Sequence, residues 1–208
     1  MDLGGGVAVR VAALCLDDGG RLSQQLLHGT AVRGGLLLDL ALAGRVESDW
    51  DSIAVDPTPT GFGPADRLLA AIAVEPERSL DRWLDEKRIG LRDVAAANAA
   101  GGRWAVRSGP FGLRRRYTDR HAGDTARDRA RAGDDGIAPE SPADACVTTV
   151  GVAAGLGGSV PARPGDDVLA ATGAAAWLAE AVVDHLLVAH ERYARQAAAL
   201  GGGQLGPF

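Results

Sequence analysis

The residues of this chain best equipped for chemistry are four histidines, two cysteines and a few adjacent carboxylates, and their spacing assembles none of them into a recognisable centre. His28, His121, His185 and His190 form no HExxH pair, and the last two, five residues apart, fall on different faces of any helix. Cys15 and Cys146 lie far apart with no CxxC or Cys/His spacing, which points to a reduced protein and away from a disulfide or zinc scaffold. There is no GxSxG elbow, no lysine after "LGGG" where a phosphate-binding loop needs one, and no GxGxxG after a strand. Asp17–Asp18 and Asp134–Asp135 sit in turn-like sequence, where solvation explains them. The expectation is therefore a protein that is not an enzyme, with no catalytic residue, no metal site and no cofactor.

The remaining feature with chemical potential is "GRWAVRSGPFGLRRRYTDR", residues 102–120. Six arginines face one aspartate there, a local charge of +5 in a chain whose net charge is −5. Trp104, Phe111 and Leu113 lie among Arg103, Arg107, Arg114, Arg115, Arg116 and Arg120, and "RSGPFG" reads as the turn of a hairpin. An anionic bilayer would reward each arginine by about 1 kcal/mol, and full burial of Phe111 or Leu113 in lipid would add about 1.5–3 kcal/mol each. The competing reading keeps Trp104 and Phe111 in the core and makes the arginines a solvated rim. Only one lysine, Lys87, is present, so nearly all positive charge is arginine and a single exposed arginine carries little information.

The elements that must position this hairpin are mainly helical. Residues 7–16 (VAVRVAALCL) followed by "DDGG" read as a short strand and turn. A helix follows over 24–44, with Leu36, Leu37, Leu40 and Ala43 along one stripe and Gly44 at its end. Gly34 and Gly35 lower its propensity and predict close approach of another backbone. "SIAVDPTPTG" reads as a strand ending in a proline-punctuated turn, and Pro64 suits the first turn of the next helix. "SLDRWLDEK" turns Leu80, Trp83 and Leu84 inward, and "LRDVAAANAAGG" is a further helix. Residues 119–145 read as a solvated helix and a polar loop, "ADACVTTVGVAAGLGG" as a buried helix, and 173–199 as a long C-terminal helix. The expected fold is mainly α, a single globular helical domain with a helix-bundle core over residues 1–200 and small β-hairpin elements, one of them basic and hydrophobic. Residues 201–208 read as a disordered tail.

The cysteine usage makes a cytoplasmic protein the expectation. Glu180, Asp184 and His185 interrupt the longest apolar run, so no crossing of a membrane is expected. Arg10 and Asp17–Asp18 break the N-terminal pattern of a secretory signal, and Leu14 stands before Cys15 where lipid attachment needs a small residue. Any membrane contact is expected to be peripheral.

Two stretches, "AVRGGLLLDLALAGRVE" and "VDPTPTGFGPADRLLAAIA", resemble signature segments of the Golgi phosphoprotein 3 (GPP34) family, especially its actinobacterial, bacterial-type members. The order that follows is also similar: "LDRWLDE", "LRDV", then "PFGLRRRYTD". The resemblance runs from about residue 7 to 120. It implies a mostly α-helical peripheral membrane protein that binds phosphatidylinositol 4-phosphate through a basic pocket, beside a hydrophobic hairpin. By position, Arg33 of "VRGG" and Arg92 of "GLRDV" are the implied headgroup-binding residues. The family's pocket tryptophan corresponds to Gln24 and its second LRxxR arginine to Ala95, with Arg88 or Arg114–Arg116 as candidates to compensate. The membrane-docking set is Trp104, Phe111, Leu113, Arg114, Arg115 and Arg116. Two alternatives stay open: a winged-helix-like nucleic-acid-binding protein, disfavoured by the acidic total and by a helix with only Arg92 and Asn98 able to read bases, and a protein-interaction adaptor or self-associating protein using the hairpin as its contact.

Overall fold

Helix α2 (Leu26–Leu42) is mostly apolar, with only His28, Thr30, Arg33 and Asp39 polar or charged, and a helix of that kind belongs inside a bundle. In the computed structural model, which describes residues 3–23, 25–49, 52–109, 115–133 and 137–200, every residue from Thr30 to Ala41 is buried. Helices α1 (Val7–Leu14), α7 (Pro142–Ala154) and α9 (Ala176–Leu200) pack around it. Gly34 and Gly35 make this packing close on two sides at once. A methyl group on Gly34 would come within 2.7 Å of Val182 Cγ1 on α9, and one on Gly35 within 2.8 Å of Ala8 Cα on α1. The predicted close approach is real, and Gly44, at φ 64°, ends the helix as expected.

The rest of the chain wraps this centre. β1 (Val46–Asp49) and β2 (Ser52–Val55) form an antiparallel hairpin with Val46 opposite Val55. α3 (Gly63–Val74), α4 (Leu80–Leu84) and α5 (Leu91–Ala100) follow, then β3 (Trp104–Arg107) and β4 (Arg116–Asp119), paired antiparallel with Trp104 opposite Asp119. α6 (Ala122–Ala132) and α8 (Asp166–Ala171) complete the elements. Most of the buried apolar side chains form one cluster. The protein is mainly α with two small two-stranded hairpins.

Three expectations need correction. Residues 7–14 are helix, not strand. Alternating β-branched residues favour a strand locally, but the Asp39 carboxylate on α2 accepts the N–H groups of Val7 (2.7 Å) and Ala8 (2.9 Å) and so caps a helix there. Seven of the eight residues of α1 are then buried, with Arg10 the exception. The C-terminal helix begins at Ala176 rather than 173, because Gly173 takes φ 62° in a 3₁₀ turn that separates it from the unforeseen α8. Finally, α6 is not simply a solvated helix: Asp128, Arg131 and Ala132 are buried against its neighbours.

Candidate anion-binding surface

Arg33 reaches the connection that leads into α5, and Arg92 stands in the first turn of that helix, but the two side chains are in different states. Arg33 projects from the middle of α2 and is 7% exposed. Its Nε donates to Leu84 O at 2.6 Å, Nη1 to Ile89 O at 3.4 Å and Nη2 to Thr30 Oγ1 at 3.1 Å. Burial lowers its pKa, with the charges of Asp85 and Glu86 working the other way. The guanidinium thus ties down the connection from α4 to α5. Gly90, the residue before α5, lets it in: a Cβ there would sit 3.1 Å from Arg33 Nη1.

Arg92, in the first turn of α5, is exposed and makes no ion pair among the described residues. Arg88 is exposed too, its side chain 91% accessible and its Nε 3.8 Å from Glu86. The N–H groups of Leu91 and Arg92 have no acceptor among the described residues, as expected of a helix start. Asp93 reaches back to accept the Gly90 N–H at 3.1 Å and also holds Arg67 at 2.6 Å, which offsets part of the positive end of the helix. Together Arg88, Arg92 and these amides offer donors to phosphate oxygens. Of the positions that differ from the resembled pattern, Ala95 is fully buried core, and Gln24 lies outside the described residues.

The second hairpin divides into an anchored base and a solvated end. Trp104 is 1% exposed and its ring stacks at a tilt on Tyr117, centroids 5.5 Å apart. It belongs to the core, and its expected place in a docking surface is corrected: its ring area is already buried against α5 and β4. The Tyr117 N–H also donates to Gly20 O at 2.7 Å, pinning the strand to the turn after α1. Arg107, Arg115 and Arg116 are exposed and have no ion-pair partner among the described residues. The expected docking residues Phe111, Leu113 and Arg114 lie outside the described residues.

Other motifs prove structural. In the "TPTG" loop, Thr60 donates through its N–H (2.6 Å) and Oγ1 (2.7 Å) to Asp66, fixing the start of α3. Asn98, one of two base readers in the winged-helix reading, is 2% exposed and unavailable to a groove. Sequence reasoning missed two features. His185 on α9 bridges Asp81 (2.9 Å) and Asp85 (3.2 Å) beside α4. An ionic cluster joins α1, α6 and α7 through Arg10, for which the charge interrupting an apolar run was the available signal. Among the described residues no group of His, Cys, Asp or Glu is arranged to hold a metal, and no helix is long and apolar enough to cross a membrane.

With this architecture in view, the class of the molecule is a helical domain carrying unpaired surface arginines. The sequence profile of the Golgi phosphoprotein 3 (GPP34) family matches residues 9–203, nearly the whole chain. The chain belongs to that family, and the match extends well beyond the segments that carry the resemblance. Comparison with curated proteins gave no match.

Proposed function

We propose that this protein binds anionic phospholipid headgroups of the phosphatidylinositol 4-phosphate type at a membrane surface, without catalysing a reaction. The observation that carries the reading is the coincidence of family membership with arginines that the fold leaves unpaired among the described residues: Arg92 at the start of α5, and Arg107, Arg115 and Arg116 on the second hairpin. A guanidinium with no internal partner keeps all five donors for an incoming phosphate. Arg33 acts one step back. It holds the α4–α5 connection in place and adds positive charge beneath it. Arg88 takes the place of the arginine that Ala95 lacks. Phe111, Leu113 and Arg114, which lie between Arg107 and Arg115 in the sequence, are proposed to add membrane contact.

Co-sedimentation with vesicles tests this. Phosphatidylcholine vesicles, with or without phosphatidylinositol 4-phosphate or another anionic lipid, would be compared for wild type, Arg92→Ala and the Arg115→Ala/Arg116→Ala pair. The double substitution should weaken binding to anionic vesicles by about 2 kcal/mol, roughly thirtyfold, and added salt should weaken wild type in the same direction. Equal binding to neutral and anionic vesicles, or binding indifferent to salt and to both substitutions, would end the reading.

A further inference from the structure

A cleft of about 410 Å³ opens between α1, α6 and the segment leading into α7, and it shares no lining residue with the surface described above. Its floor is ionic. Arg10 holds Asp128 through Nε (2.8 Å) and Nη2 (2.5 Å) and reaches Asp144 at 2.7 Å. Arg131 faces the same two carboxylates through Nη1, at 3.6 and 3.3 Å. Two cations and two anions balance there. Burial works against the charge on Arg10, yet its bonds to Asp128 and Asp144 keep it firmly protonated, and the Asp144 carboxyl is held below its ordinary range.

What this balance leaves over is one edge of Arg131. That side chain is 3% exposed; its Nη2 donates to Glu140 Oε1 at 3.0 Å, while the buried Nε has no partner among the described residues. Nε–H and Nη2–H point in the same direction and form the fork that accepts two oxygens of one oxyanion side by side. A single oxygen of Glu140, whose side chain is 78% exposed, half-fills it. At the rim, Arg127 and His121 share Asp124 at 3.6 and 3.7 Å, and Arg103 has no ion-pair partner among the described residues. With Glu140 swung outward, the four arginines of the cleft face three carboxylates, which leaves a positive surplus for an oxyanion. A phosphate monoester has three terminal oxygens: two fit the fork of Arg131, and the third is left for Arg103.

From this arrangement we infer that the cleft is a second oxyanion site, which takes a phosphate monoester, and that Glu140 is the chain's own stand-in ligand. Phosphate displaces Glu140, engages the Nε–Nη2 edge of Arg131, and is met by Arg103. The monoester has two natural sources, a small soluble phosphate or the headgroup of a lipid such as phosphatidic acid.

Titration calorimetry with inorganic phosphate and glycerol 3-phosphate, and sedimentation with phosphatidic acid vesicles, distinguish the sources. The proteins compared are wild type, Glu140→Gln, Arg103→Ala and, as a control outside both sets of proposed binding residues, Arg192→Ala at an exposed position of α9. Glu140→Gln, lacking the competing charge, should bind severalfold more tightly than wild type. Arg103→Ala should bind about tenfold more weakly, the loss expected for one charge-assisted hydrogen bond, and Arg192→Ala should match wild type. Those changes on soluble phosphates assign a free monoester; the same changes on vesicles alone assign a lipid. The site is overturned if Glu140→Gln binds none of the three probes, if it binds no more tightly than wild type, or if Arg192→Ala loses as much as Arg103→Ala. Both cleft substitutions leave the buried ionic floor untouched, so thermal unfolding within about 2 °C of wild type checks that binding alone has changed.

Discussion

Around the junction of α1, α6 and α7 and beneath the α4–α5 connection the fold engages its buried arginines, whereas on the surface at the start of α5 and on the second hairpin it leaves them in water. Arg10 and Arg131 sit against Asp128 and Asp144, and Arg33 against backbone carbonyls. Arg92, Arg107, Arg115 and Arg116 are exposed, with no ion pair among the described residues. The side chain is the same in both places; the difference is whether water remains available. A guanidinium withdrawn from water must find acceptors inside the protein, so its removal registers as lost stability. A hydrated one has nothing to lose in folding, and its removal registers only when a ligand arrives.

The sharpest test of this contrast is Asp128→Ala. It would leave Arg10 and Arg131 short of a buried partner and should cost about 3–5 kcal/mol, a fall of roughly 10 °C or more in thermal unfolding. A loss no greater than that of a surface substitution would erase the distinction between the two regions. Next in size, Arg33→Ala frees the carbonyls of Leu84 and Ile89 and should cost about 2–4 kcal/mol, again read from thermal or urea unfolding. Arg92→Ala, only a few residues from that contact, should stay within about 0.5 kcal/mol. Equal effects of these two substitutions would break the comparison at its closest point.

Asp39 sharpens it through pH. This carboxyl is fully buried, and its bonds are to backbone N–H groups rather than to a cation. Burial pushes its pKa up to about 7, against those two hydrogen bonds and the charge of Arg10. The folded protein therefore holds this proton more tightly than the unfolded chain does. Its contribution to stability is present in the acid range and is lost as pH rises from the ordinary carboxylate range towards 7, by at most about 1.4 kcal/mol per unit. Urea unfolding of wild type and Asp39→Asn at pH 5 and pH 7.5 isolates the slope, which should be absent from the variant. The smallest effect on stability belongs to Arg115→Ala/Arg116→Ala. These two side chains should leave the unfolding temperature within about 2 °C of wild type while changing vesicle binding.

Much of the framework was readable in advance. The apolar run of α2, the Gly34–Gly35 pair, Pro64 opening α3, and Gly44 after α2 each carry a local signal, and each holds in the structure. The failures share one cause. "VAVRVAAL" reads as a strand until Asp39, more than thirty residues away, supplies a helix cap. Trp104 reads as a docking residue until Tyr117 and the core enclose it. For the candidate site, the resemblance pointed to Arg33 and Arg92, but no pattern in either segment tells that one is buried and bonded and the other hydrated.

Taken alone, the sequence determined that the chain is mainly helical, where its central helix runs, and that a cluster of arginines lies on a short hairpin. Periodicity, glycine placement and turn residues act over a few positions, and so they are written locally. Only the tertiary structure decided which charges are neutralised. Arg10 meets Asp128 and Asp144 across 118 and 134 positions of chain. Contacts at that separation come from the packing of whole helices, and that packing sets which charges remain in contact with water.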